Sequence, residues 1–184
     1  MKFMGRVFAA ALMFAAVARV VASDEIIERV VAVAAGDVIT LTDVAAARDL
    51  GLVQTGDARD PSREIVSRLI DRAVMLAEVD RYAPPEPSAA EIDSGVQTVR
   101  ARFNTLQAFD AALAKVGMDE RSLRDTIRQD LRIRAYLDLR FIVAPASDAA
   151  GQTAAAERRD ALVTAWIAGL RRRATITEVD VIGR

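Results

Sequence analysis

Side chains that could carry out chemistry are scarce in this chain. There is no His and no Cys among its 184 residues. The commonest general base, the commonest transition-metal ligand and the thiolate nucleophile are therefore missing. With them go the Ser-His-Asp triad, the zinc finger, the disulfide and the lipid-bearing Cys of a lipoprotein. Ser62, Ser67, Ser88, Ser94, Ser122 and Ser147 have no imidazole to activate them, and Lys115 is the only Lys after Lys2. Paired carboxylates are what remains. Asp119 and Glu120 are adjacent, but a helix start there explains both through capping and the helix dipole. Glu178 and Asp180 alternate along a predicted strand and would share one face, where they serve edge-strand solubility. A carboxylate site for a hard metal is the last option, and no EF-hand loop or comparable spacing supplies it. The sequence thus predicts no catalytic residue, no cofactor and no metal ligand, and points to binding instead.

The charges are balanced, with 25 basic and 26 acidic side chains and a net charge of -1. All but Lys2 and Lys115 of the basic groups are Arg, and acidic residues are interspersed with them. No long-range positive field exists to attract phosphates, which argues against a nucleic-acid partner. Apolar residues make up 52 % and aromatics 5 %, so the core must be built mainly from Leu, Ile, Val and Ala. The length suits one domain, or a small domain with an appendage.

Residues 1–22 read as a secretory signal. Lys2 and Arg6 precede the uncharged run Val7 to Ala18, and small residues follow at Ala22 and Ser23. The run is too short for a span of about 20 apolar residues, and extending it brings in Arg19. Cleavage after Ala22, or after the neighbouring Ser23, removes Lys2, Arg6 and Arg19 and moves the net charge from -1 to -4. The mature protein is then expected in a bacterial periplasm, with no membrane span and no need of disulfides.

The elements that must position any binding site follow from local signals. Two Val/Ile-rich runs flank Gly36-Asp37, which predicts a β-hairpin. Thr42 offers an N-cap for a short helix that Gly51 ends, and residues 51–59 read as a loop. Asp60-Pro61 opens a helix with a stripe of Ile65, Leu69, Ala73 and Leu76, ended by Pro84 and Pro85. Ser88 and Glu91 form a capping box before Ile92, Val96, Val99 and Phe103. Thr105 caps a helix bearing Leu106, Phe109, Leu113 and Val116, with Gly117 beyond its end. Asp119 caps a longer helix with Leu123, Ile127, Leu131 and Ala135. Its polar face offers Glu120/Arg124, Arg121/Asp125, Asp130/Arg134 and Arg134/Asp138 as ion pairs along the helix. Residues 144–156 read as a linker, 157–173 as a helix presenting Leu162, Trp166 and Leu170, and 175–182 as a strand. Because an isolated hairpin is marginal in water, that strand is expected to return as its third member.

This order of elements resembles a known family. The hairpin VVAVAAGDVITLTDV, the helix LIDRAVMLAEVDRY, the capped helix SAAEIDSGVQTVRARFN and the stretch TLQAFDAALAKVGMDERSLRDTIRQDLRIRAYLDLRFIV are similar to the N-terminal domain of the SurA family. Its members are periplasmic holdases for unfolded outer-membrane proteins. Residues 159–181 resemble the family's final helix and strand. The resemblance implies a mainly α fold: a SurA N-domain-like helical bundle, with a small antiparallel sheet made by the N-terminal hairpin and a C-terminal return strand. Residues 23–143 would be the chaperone domain, 144–156 a linker, and 157–184 the helix and strand completing that domain. Family members usually carry parvulin prolyl-isomerase domains between these parts. Here the gap is far too short for one, and the isomerase histidines have no counterpart, so that activity is not implied.

Two functions follow as expectations. One is a holdase for unfolded outer-membrane or exported polypeptides, in which apolar client side chains enter a groove between helices. The other is an accessory subunit dedicated to one exported partner. Met75, Phe103, Phe109 and Met118 are the candidate client contacts, because adaptable Met and broad aromatic rings suit varied clients.

Overall fold

The dipeptide Ala35-Gly36 turns the chain on itself, with φ of +53° and +90°. Two positive φ values give the twist a two-residue hairpin needs, and Gly accepts the second without strain. The turn joins β1 (Val30–Ala34) to β2 (Asp37–Thr40), with Ala34 opposite Asp37 and Val33 opposite Val38. The computed structural model describes residues 29–144 and 148–179. The signal at 1–22 and the end of the expected strand, from residue 180 on, lie outside the described residues. After the hairpin come α1 (Leu41–Asp49), α2 (Pro61–Tyr82), α3 (Ala89–Arg100), α4 (Leu106–Lys115), α5 (Glu120–Arg140), α6 (Ala149–Arg173) and β3 (Ile176–Glu178). β3 returns to β1, giving an antiparallel sheet in the order β2-β1-β3. The fold is mainly helical with a small three-stranded sheet.

Four helices start at the caps legible in the sequence: Asp60, Ser88, Thr105 and Asp119. Two starts differ. The cap of α1 is Thr40, not Thr42: its hydroxyl accepts from the Asp43 N–H at 3.2 Å, and the Asp43 carboxylate accepts from the Thr40 N–H at 2.8 Å. That reciprocal pair needs an acid three residues on, which Thr40 has and Thr42 lacks. Helix α6 begins at Ala149, well before Glu157, so most of 144–156 is helix rather than linker. Asp148 caps it by accepting from the Gly151 N–H at 2.7 Å, and the Ala run that follows is the strongest of helix formers.

The core falls into adjoining clusters. Val31, Ile39, Ile65, Ile70 and Leu170 pack the sheet against α2 and α6. Leu50, Ile92, Phe109, Leu113 and Leu123 hold α1, α3, α4 and α5 together. Val79, Ile133 and Tyr136 form a third, and Trp166 packs against both it and the first. Each fully buried side chain of this kind is worth about 1.5–3 kcal/mol. Close approach of α3 to α5 depends on Gly95, where an added Cβ would lie 2.5 Å from Cγ2 of Ile127.

Of the carboxylates expected to pair along α5, Asp125 does so, with Arg128 at 2.7 Å rather than Arg121, while Asp130 and Asp138 pair across helices. Asp130 accepts from Arg72 of α2 at 2.6 Å, Arg124 reaches Asp93 of α3 at 2.6 Å, and Arg132 reaches Asp80 at 2.8 Å. Asp138 accepts from Arg159 of α6 at 2.5 Å. The guanidiniums of these interhelical pairs are more shielded from water than that of Arg128, which strengthens their side of the attraction. The apolar stripe of α6 is also shorter than its spacing predicts. Leu170 is buried and Trp166 half-buried, but Leu162 remains 47 % exposed because the helix has passed the edge of the core.

Candidate functional site

A groove open to solvent runs between β2, α1, α2 and α5. Its first lobe holds about 750 Å³ of empty space, with Leu52, Val53, Leu69 and Met118 against Val38 and Ile39 of β2. The second holds about 1050 Å³ and is walled by Met75, Ile133 and Leu137. Leu52, Val53, Arg72 and Asp130 line both, so the two lobes adjoin at these residues.

Arg72 forms its waist. Nε donates to Oδ1 of Asp130 at 2.6 Å, and Nη2 donates to Oε1 of Gln129 at 2.7 Å and to the carbonyl of Thr126 at 3.3 Å. Three acceptors on α5 thus fix a guanidinium carried by α2. Such charge-assisted bonds set the spacing of the two helices and hence the width of the groove. The β2 wall is equally determined, because the Thr40–Asp43 box locks the junction of strand and helix. Behind Leu52 and Val53, Nη1 of Arg102 donates to the carbonyls of Leu50 and Gly51 and holds the end of α1 in place. The N–H groups of Leu52 and Val53 both donate to the carbonyl of Ala47, at 2.9 and 3.3 Å, which turns this apolar pair back onto α1.

The chain matches no protein-family model and no curated protein.

The groove takes up half of the expected contact residues. Met118 lines one lobe and Met75 the other, both half-buried. Phe109 is 1 % exposed and belongs to the interior of the second cluster, out of reach from the surface. Its large side chain at helical spacing was core for the ordinary reason. Phe103 packs edge-on against Phe109, with centroids 5.7 Å apart, and does not line the groove. Leu52, Val53, Val38 and Arg72 were missed. The one signal for Leu52-Val53 was an apolar pair between Gly51 and the polar run Gln54-Thr55-Gly56-Asp57. Nothing local announces Arg72, whose partners lie on another helix.

The paired carboxylates have structural duties. Asp119 accepts from the Ser122 N–H and hydroxyl, both at 2.7 Å, and these bonds hold its carboxyl below the usual range. Glu178 lies exposed on β3. Among the described residues no group of three or more acidic side chains could hold a metal ion. No described helix is long and apolar enough to cross a membrane.

Proposed function

We propose that this protein is a periplasmic holdase-type chaperone that binds unfolded or extended segments of exported and outer-membrane proteins, without prolyl-isomerase chemistry. It reaches its compartment on a cleaved signal at residues 1–22. The observation that carries the reading is the pair of adjoining lobes, each with apolar side chains and an adaptable Met set among charged ones. Thioether side chains repack at little cost against different partners, which suits clients of varied sequence. The order of hairpin, helices, return helix and return strand supports the resemblance to the SurA N-terminal domain. Binding needs only micromolar affinity, about -8 kcal/mol, so that clients are released as they fold.

Crosslinking in the periplasm, followed by identification of the captured proteins, tests this reading. Many outer-membrane precursors should be recovered, and the purified protein should suppress aggregation of several unfolded barrels. Recovery of one exported partner alone, with no suppression, would replace the holdase by the dedicated accessory subunit.

A further inference from the structure

Strand β2 lies at the edge of the sheet, and which of its backbone groups are spoken for can be worked out from the register. The carbonyl of Val31 accepts from Val179 at 2.8 Å, and the N–H of Ala35 donates to the carbonyl of Thr175 at 3.1 Å. The backbone groups of Val31, Val33 and Ala35 therefore face β3. Those of Ala32 and Ala34 face β2, where they meet Ile39 and Asp37. Val38, opposite Val33, must then turn its own N–H and C=O outward, because the two kinds of pair alternate along an antiparallel ladder. Its side chain is 50 % exposed, and Asp37, Val38 and Ile39 all line the groove. The outward N–H of Thr40 is already taken by Asp43. A backbone donor and acceptor without a strand partner thus sit beside the β2 lobe of the groove.

The charges of the groove are graded. Its β2 lobe carries the carboxylates Asp37, Asp43 and Asp130 against the single guanidinium of Arg72. Its α5 lobe carries Arg68, Arg72, Arg134 and Arg159 against Asp130 and Asp138. Arg72 pairs with Asp130 and Arg159 with Asp138, and Arg68 is taken by Glu64. Among the described residues Asp37, Asp43 and Arg134 make no ion pair, and the Asp43 carboxylate is held by Thr40. The β2 lobe thus holds Asp37 without a partner, and the α5 lobe holds Arg134 without one.

We propose that the groove binds an extended polypeptide segment as an added strand on β2, paired to the backbone of Val38, with a cationic residue toward Asp37 and an acidic residue toward Arg134. The proposal deepens, and rests on, the client-binding reading above. Backbone pairing explains how varied sequences could be held, since every polypeptide offers the same N–H and C=O groups. Charge grading supplies what backbone pairing lacks, a preferred direction along the groove.

The test uses two fluorescent peptides of about nine residues, the length of a long strand, alternating Val and Thr. One carries Lys at its N-terminal end and Glu at its C-terminal end, and the other has these exchanged. Anisotropy at low salt should show one peptide bound about threefold or more tightly, and D37K combined with R134E should reverse the preference. N-methylation of the central peptide amides should weaken binding about tenfold. Val38→Pro should do the same, because a proline there removes an outward N–H and leaves the bonds to β1 intact. Should that variant fail to fold by circular dichroism, the N-methylated peptide decides alone. Binding indifferent to peptide polarity and to N-methylation overturns the strand-addition proposal and leaves the holdase reading standing. Peptides that fail to bind, while an unfolded barrel is still kept from aggregating, have the same meaning. If neither the peptides nor the unfolded barrel binds, both readings fall.

Discussion

Nη1 of Arg171 donates to Oδ1 of Asp71 at 3.0 Å and to Oγ of Ser67 at 3.1 Å, clamping the last turn of α6 onto α2. Two residues of loop then lead from Arg173 into β3, so this clamp sets where the return strand meets β1. The Asp71 side chain is only 16 % exposed. Burial pushes its carboxyl above the ordinary range, and the guanidiniums of Arg171 and Arg68 pull it only part of the way back.

Acid titration should separate this carboxyl from the helix caps. A raised folded pKa means the native state holds the proton more tightly than the unfolded chain, so Asp71 weakens stability as pH rises through that interval. Asp49, Glu91 and Asp119 act in the opposite sense. Bonds from Arg48 and Lys115 lower Asp49, bonds from Ser88 lower Glu91, and bonds from Ser122 lower Asp119. Their contribution is complete above the unfolded carboxylate pKa and is lost as pH falls through their depressed values. Urea unfolding between about pH 2 and 6 should therefore show stability falling into acid. Asp119→Asn and Glu91→Gln should flatten that fall, and Asp71→Asn should steepen it. A steepening by the cap variants would contradict the assignment.

Removing the Trp166 ring should be costly, and removing Leu162 should not. The indole lies 5.7 Å from the Tyr136 ring and 5.6 Å from Phe141, with the Arg140 guanidinium 6.0 Å from its centroid. It joins two of the three core clusters. Because it is half-buried, Trp166→Ala is expected to cost about 3 kcal/mol, the low end for such truncations. That corresponds to a fall in Tm of roughly 6–12 °C for a chain of this size. Leu162→Ala should stay within about 0.5 kcal/mol. Thermal and urea unfolding of the two variants side by side decides it. Equal costs would mean that α6 docks along its whole length.

What could be read beforehand follows the range of the forces involved. Caps and turns were legible where side chain and backbone partner lie within three residues, as at Asp60, Ser88, Thr105 and Asp119. Thr40 and Thr42 both lie near the same acid, and only the capping-box spacing to Asp43 favours Thr40, a signal the end of the hairpin strand obscures. The start of α6 was lost because Ala-rich composition fits linker and helix alike. The waist of the groove was out of reach altogether. Asp130 reads as the partner of Arg134 along its own helix and nothing singles out Arg72, so their pairing exists only after α2 and α5 have packed. Met75 and Phe109 looked equivalent in the sequence. Burial alone sets them apart.

Gly95→Ala should destabilise the protein although Ala favours helix over Gly by about 1 kcal/mol. The new methyl group would meet Cγ2 of Ile127 at 2.5 Å, far inside contact distance, and both helices are held by further pairs such as Arg124–Asp93. A net loss of about 1–3 kcal/mol is expected from this overpacking. Ile127→Ala in the Gly95→Ala background should recover part of it, with a coupling energy of at least about 0.5 kcal/mol. Denaturant unfolding of the four-member cycle measures that coupling. Simple additivity would show that α3 and α5 part freely.

Polar replacement in the groove should separate client binding from stability. Met75 and Met118 are half-buried and face open space, so Met→Gln keeps their length while withdrawing the apolar surface offered to a client. If a bound segment covers roughly 50 Å² of apolar area on each, the loss is about 1.2 kcal/mol per site at 25 cal/mol/Å², or close to eightfold in affinity. The two sites lie in different lobes, so the double variant should lose well over tenfold. Its own stability should fall by less than about 1.5 kcal/mol, as for a volume-conserving change at a partly exposed position. Phe109→Ala is the counterpart, because the ring is interior and does not line the groove. Its expected cost is about 3–5 kcal/mol of stability, and whatever fraction stays folded should bind with the parent's affinity. Titration of an unfolded barrel against each variant, at a temperature where circular dichroism shows it folded, gives the affinities. A double Met variant that holds clients as tightly as the parent would move the binding surface elsewhere on the molecule.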